Sequence, residues 1–156
     1  MLSWFLTYRR LRLADKWLIY EWNNEPVARS NSFNQSGILK EEHIQWFDKK
    51  MGDENAFYWL CSINNDPVSI VRYDVGKNNT LIGINIAPQY RGKGISSTIL
   101  MDTAIFYFEK FKKPVQAFIK PENKASICVF EKAGYQFIKK AMVNAQAALL
   151  YELKLF

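Results

Sequence analysis

The 156-residue chain has few groups that bind metals or form crosslinks: two cysteines, Cys61 and Cys128, and one histidine, His43. No zinc-ligand spacing exists among them, so no metal site is expected. Both cysteines sit in apolar patterns, "WLCSI" and "ICVFEK", and read as reduced, buried thiols of a cytoplasmic protein. Long apolar runs are missing too. Nothing approaches the about 20 residues that span a bilayer as a helix, so no membrane insertion is expected. "MLSWFLTYRRLR" places its apolar residues before its positive charges, the reverse of a secretory leader. Repeats, low-complexity tracts and interdomain linkers are also absent, so residues 1–156 read as one domain. The formal charge is +6, yet no long basic run exists. Arg9, Arg10, Arg12, Lys49, Lys50, Lys112, Lys113, Lys139 and Lys140 are scattered as on solvated faces. That argues against a nucleic-acid partner and leaves room for an acidic small ligand.

What is present is apolar and aromatic, at 49% and 15%, which excludes a disordered chain. Residues 8–13 alternate Leu11 and Leu13 with Arg10 and Arg12, a first strand. Asp15 is placed to cap a helix carrying Trp17, Leu18 and Trp22. The polar stretch "NNEPVARSNSFNQSG" reads as loop or broken helix, and a second helix carries Ile44, Phe47 and Met51. Strands at 57–63 and 68–73 flank Asn64-Asn65-Asp66-Pro67, a hairpin signal. A strand at 80–87 leads to a long helix within 88–111, followed by a strand at 115–120. Pro121 and Asn123 open a short helix that Gly134 closes, and strands at 135–140 and 148–156 end the chain. Trp22 and Trp46 read as core. The fold class is mixed α/β.

The chemistry concentrates in "INIAPQYRGKGISSTIL", a strand, a tight basic glycine loop and a helix. Such a loop leaves backbone N–H groups free at a helix start and favours an anion. A Walker A loop needs Ser or Thr after the lysine, but Gly94 follows Lys93. A dinucleotide fingerprint starting at Gly92 would need glycine at Ser97, and it would follow a first parallel strand, not antiparallel hairpins.

Gln89-Tyr90-Arg91-Gly92-Lys93-Gly94 fits Gln/Arg-x-x-Gly-x-Gly/Ala and resembles the acetyl-coenzyme A motif of the GNAT acetyltransferase superfamily. "NKASICVFEKAGYQFI", Asn123 to Ile138, is similar to a second segment of that family. In the front half, "WNNEPVARSNS" and "ILKEEHIQWF" look like patterns of two branches: ribosomal-protein acetyltransferases, and enzymes acetylating nucleotide-activated amino sugars of the pseudaminic-acid type. The sugar branch is the closer.

The resemblance implies a twisted, mostly antiparallel sheet of about seven strands with about four helices, and acetyl-coenzyme A as cofactor. It assigns the pyrophosphate to the loop residues Gln89, Arg91, Gly92, Lys93, Gly94, Ile95 and Ser96. The pantetheine arm falls to the backbones of Ile84, Asn85 and Ile86, and further coenzyme contacts to Asn123, Ser126 and Phe130. Acetyl transfer needs a neutral amine, a base, and a donor for the oxyanion and leaving thiolate. Many relatives carry a Glu base on the strand at 80–86, but "TLIGINI" has no carboxylate. The frequent general-acid Tyr aligns with Phe130, which has no proton to give; proximity then supplies much of the rate.

His43 is the candidate base, with a packed structural histidine as the alternative. Asn23, Asn24, Arg29, Tyr73 and Asp74 are candidate substrate contacts, Arg29 toward a phosphate. The expected function is N-acetylation of a primary amine on a nucleotide-linked amino sugar by a monomer or homodimer. The alternatives are a protein N-terminal acetyltransferase and a non-catalytic acyl-coenzyme A-binding module.

Overall fold

The structure is a computed structural model that describes residues 5–155. Residues 1–4 of the apolar N-terminal stretch and Phe156, the predicted end of the last strand, lie outside the described residues. Seven strands form: β1 Leu6–Arg10, β2 Ala56–Ile63, β3 Asp66–Val75, β4 Thr80–Ile86, β5 Val115–Ile119, β6 Gln136–Val143 and β7 Gln146–Leu153. They make one sheet in the order β1-β2-β3-β4-β5-β7-β6, antiparallel throughout except for the β4–β5 pair. The helices are α1 Lys16–Asn24, α2 Pro26–Asn31, α3 Lys40–Met51, α4 Ser96–Lys110 and α5 Lys124–Lys132. The mixed α/β class with a mostly antiparallel seven-stranded sheet is as the sequence led us to expect.

The helices cover both faces of the sheet. One core joins α4 and α5 to it through Ile99, Leu100, Tyr107, Phe130, Val71, Tyr73, Ile82, Val115 and Ala117. A smaller core sets α1 and α3 on the opposite face, with Ile19, Trp22, Phe47, Leu60 and Ile70. Because strand side chains alternate, Tyr73 and Arg72 on β3 point to opposite faces. The register pairs Arg72 with Gly83 and Ile70 with Asn85, so these four residues share the α1–α3 face. No helix among the described residues is long and apolar enough to cross a membrane.

Several local expectations are corrected. The first strand covers Leu6–Arg10, not residues 8–13, and Leu13 is 65% exposed in a 3-10 turn. The cause is Asp15. Its carboxylate accepts two hydrogen bonds from the Arg9 guanidinium and one from the Arg12 N–H, all at 2.8 Å, which folds the chain over directly after β1. Burial alone would raise the Asp15 pKa, but Arg9 and Arg12 outweigh it and hold it low. Asp15 therefore makes no side-chain cap to α1.

The polar stretch contains a real short helix, α2, started by Pro26 in its first turn and by Glu25, which accepts from the Val27 and Ala28 N–H groups. The hairpin turn is Asn64-Asn65 alone, with φ of 49° and 67°, and β3 begins at Asp66. A second tight turn, Asn144-Ala145, joins β6 to β7. Cys61 is buried, but Cys128 is exposed, because it falls on the outer side of α5.

Candidate active site

The glycine loop lies between a 3-10 turn, Pro88–Tyr90, and α4. Gly92 and Gly94 have φ of 72° and 76°, left-handed backbone that disfavours a Cβ. A Cβ built at either position meets nothing within 4 Å, so conformation demands the glycines and the space above them is open. The amides of Gly92, Lys93, Gly94 and Ile95 have no hydrogen-bond partner among the described residues, and no side chain caps α4. Unpartnered amides at the positive end of a helix receive anions. Gln89 and Lys93 are exposed, Ser96 is half-buried as the first residue of α4, and buried Ile95 anchors the loop in the core.

Arg91 turns away from this opening. Its Nε donates to the Ile86 carbonyl at 3.1 Å, and its guanidinium pairs with Glu25 at 2.6 Å. The bond from Arg91 is the largest influence holding the Glu25 carboxyl down to about 2, with the α2 amides adding to it. Much of the Arg91 charge is therefore used inside the protein, where it ties the coenzyme loop to the start of α2.

The second element is a gap in the sheet. β4 pairs with β3 along its whole length but with β5 at Thr80 and Leu81 only. From Ile82 onward the β5-facing edge of β4 is bare, and Ile84, Asn85 and Ile86 lie along it. Asn85 also steadies the end of α1, donating from Nδ2 to the Trp22 carbonyl at 3.0 Å. Asn123 caps α5 by accepting from the Ser126 N–H at 3.2 Å. Phe130 is 3% exposed, edge-to-face with Tyr135 at 4.9 Å. An open loop of free amides beside a strand edge without its partner fits acetyl-coenzyme A: diphosphate on the loop, pantetheine amides along β4.

The acceptor-side candidates divide. Tyr73 is 0% exposed, shares a 2.9 Å hydrogen bond with Thr103 and stacks on Tyr107, so it is core and not a substrate contact. The strand period placed it on the α4 face. Asp74 accepts from the Tyr58 hydroxyl at 2.5 Å and from Lys50 at 2.9 Å. It rims a depression of about 220 Å³ at the far end of β4 from the glycine loop. Asn24 clamps Ile38, accepting its N–H at 2.7 Å and donating to its carbonyl at 3.2 Å. Arg29 donates to the carbonyls of Asn23 at 2.6 Å, Asn34 at 2.8 Å and Ser36 at 3.1 Å, gathering the loop after α2.

His43 is 1% exposed. Its Nε2 lies 2.6 Å from the Lys16 carbonyl, so that nitrogen carries a proton, and Trp17, Tyr20, Trp46 and Phe47 surround the ring. Burial pushes its pKa down.

Glu25 emerges here as a residue that sequence reasoning missed, although an acidic residue directly before a proline signals it.

An anion-receiving loop at the head of a helix, next to the gap where two parallel strands part, defines an acyl-coenzyme A-dependent transferase. The particular family follows from the sequence: residues 6–136 match the model of the acetyltransferase (GNAT) domain, and the chain belongs to that family. No curated protein matches it. Its fold recurs in a domain from Methanocaldococcus jannaschii, with a TM-score of 0.85 at 26% identity over 98% of this chain and 100% of that one. It recurs in spermidine N-acetyltransferase from Vibrio cholerae in complex with CoA and spermine, with a TM-score of 0.81 at 18% identity over 94% and 92%. An aminoglycoside acetyltransferase in complex with coenzyme A gives 0.81 at 17% identity over 96% and 95%. The chain is a GNAT N-acetyltransferase dependent on acetyl-coenzyme A.

Proposed function

We propose that the acceptor is the primary amine of a nucleotide-linked amino sugar. The observation that carries this reading is the charge of the loop on the acceptor side. Residues 23–36 hold the front-half pattern and are fastened over the sheet next to the gap by Lys120, donating to the Ser30 carbonyl at 2.9 Å, and by Gln146, donating to the Phe33 carbonyl at 2.7 Å. The cations brought there, Arg29 and Lys120, form no ion pair with any described carboxylate. A polycationic acceptor meets repulsion at such a rim, whereas a phosphate-bearing one meets attraction.

Acetyl-coenzyme A supplies an activated acetyl thioester when bound. The chain's own part is placement. The free amides of the loop and the bare edge of β4 fix one reactant, and the loop over the sheet fixes the other, which converts a bimolecular encounter into a local one. β4 offers no carboxylate and Phe130 no proton. We assign His43 to packing, since both its burial and its bond to Lys16 oppose a role in proton transfer. The amine then reaches the thioester already neutral, its proton lost to water.

Thiol release from acetyl-coenzyme A tests the reading with four acceptor classes: UDP- and TDP-amino sugars, spermidine, aminoglycosides, and ribosomal-protein N-terminal peptides. The expected result is a kcat/KM at least tenfold higher for a nucleotide amino sugar than for the other three. A preference for polyamine, aminoglycoside or peptide overturns the assignment.

A further inference from the structure

Opposite β3, Gly83 of β4 has an unusual neighbour. A Cβ built on it would stand 2.8 Å from an Arg72 terminal nitrogen, 3.4 Å from Nε and 3.5 Å from Cζ. The guanidinium therefore lies over the glycine, on the α1–α3 face, two residues past the last β4–β5 pair at Leu81. Arg72 is half-buried; Tyr58 of β2 pairs with it in register, and the Trp46 ring lies 5.8 Å from Cζ. It makes no hydrogen bond and no ion pair among the described residues.

It is also not alone. The Arg29 guanidinium is near enough for the two to repel, which, after burial, is a cause of the lowered Arg29 pKa. Lys120 is 3% exposed, and its ammonium, with three donors, has one partner, the carbonyl of Ser30 next to Arg29. Five carboxylates are spent on ion pairs with other cations; Asp74, two residues along β3 on the same face, is held by Lys50 and Tyr58, and Glu25 by Arg91. A half-buried guanidinium with no hydrogen-bonded counter-charge, next to a second cation, is costly until an anion joins it.

We propose that Arg72, lying over Gly83 and supported by Arg29 and Lys120, receives a phosphate group of the acceptor. This rests on the nucleotide-sugar reading and narrows it, because it fixes where the phosphate sits. Gly83 precedes Ile84–Ile86 by one to three residues, so the anion is held roughly 3–10 Å along the strand from the edge that takes the pantetheine. One sugar ring bridges that distance, with its amine at the thioester and its anomeric phosphate at Arg72. The planar guanidinium suits two phosphate oxygens at once, which a lysine does not. Glycine at 83 leaves room for this arrangement, since a side chain there would shift the guanidinium.

The test separates this site from the coenzyme loop and from the reaction. Protein saturated with coenzyme A, so that the loop is filled, is titrated calorimetrically with pyrophosphate and with UDP. Wild type is expected to bind both. Arg72→Gln should weaken both at least tenfold with an unchanged melting curve, and Arg72→Lys should recover part of the loss. Absent binding to saturated wild type, or equal binding by Arg72→Gln, overturns the proposal. Acetylation kinetics distinguish the two claims. If nucleotide amino sugars are acetylated with the same KM by Arg72→Gln, the phosphate site fails and the function stands. If they are not acetylated by wild type while pyrophosphate binding depends on Arg72, the function fails and the anion site stands.

Discussion

Replacing Glu25 by Gln probes the link between the coenzyme loop and the acceptor-side helices. The carboxylate makes three contacts: the 2.6 Å pair with Arg91 and two 3.1 Å bonds to the first amides of α2. The side chains are 20% and 28% exposed, so solvent screens the pair and it contributes at the level of a favourable surface pair, up to about 1 kcal/mol. The cap adds about 1 kcal/mol, part of which the Gln oxygen retains. The substitution should therefore cost about 1–2 kcal/mol, or roughly 2–8 °C in Tm for a chain of this size. The pH dependence is specific. The folded carboxyl titrates at about 2, below its ordinary value of 4.5. A group depressed on folding stabilises above its unfolded pKa and loses that contribution as pH falls through the folded one. The gap in Tm between wild type and Glu25→Gln should then be constant from pH 5 to 8, begin to close below about 4.5 and vanish near 2. Differential scanning calorimetry across that range measures it. A gap that is absent at pH 7, or that stays undiminished at pH 2.5, refutes the argument.

Gly94→Asp places a carboxylate beside the diphosphate and a Cβ on left-handed backbone; coenzyme A affinity should fall more than tenfold by calorimetry, and an unchanged affinity in a folded variant would falsify the loop assignment. His43→Ala removes a ring packed among four aromatic side chains and should lower stability by about 2–4 kcal/mol while leaving kcat within a few-fold. Since burial depresses its folded pKa, wild type should also lose stability as pH falls below about 6.5, a step the variant lacks, and a large loss of kcat with normal melting restores His43 as base. Ala145 has a φ of 60°, so Ala145→Gly should raise stability by about 0.5–1 kcal/mol; a lower Tm would show that the turn carries no strain.

The fold was legible where a pattern is local. Asn64-Asn65 between two apolar runs announces its hairpin, and strand, glycine loop and helix follow one another at 80–111. Reading failed where a distant partner decides. The end of β1 depends on Asp15 reaching back to Arg9, and Leu13 looks like a strand residue until that contact is known. The Asn144-Ala145 turn was hidden because Ala is a poor left-handed residue, and the pairing of β6 with β7 overrides that preference.

The coenzyme half and the acceptor half of the site differ in legibility for the same reason. The proposed coenzyme site is built mainly of backbone, and backbone geometry leaves its mark in sequence as glycine: Gly92 and Gly94 can be read without a structure because only their φ matters. The proposed acceptor site is built of side chains whose availability depends on what else they touch. Asn24 and Arg29 have the right chemistry for a substrate, yet their polar atoms are taken up by Ile38, Asn23, Asn34 and Ser36. Arg72 stands inside an apolar strand, its guanidinium without a hydrogen-bond or ion-pair partner among the described residues, and Gly83 lies across from it. Together they put a positive group on the strand stretch where the resemblance to the family implies a carboxylate in many relatives. A carboxylate there would draw a proton from the amine and attract a cationic acceptor. A guanidinium does the reverse on both counts, disfavouring an ammonium beside it and attracting an anion. On the proposed reading, the missing base and a phosphate-bearing acceptor are then one change in the sheet, and not two.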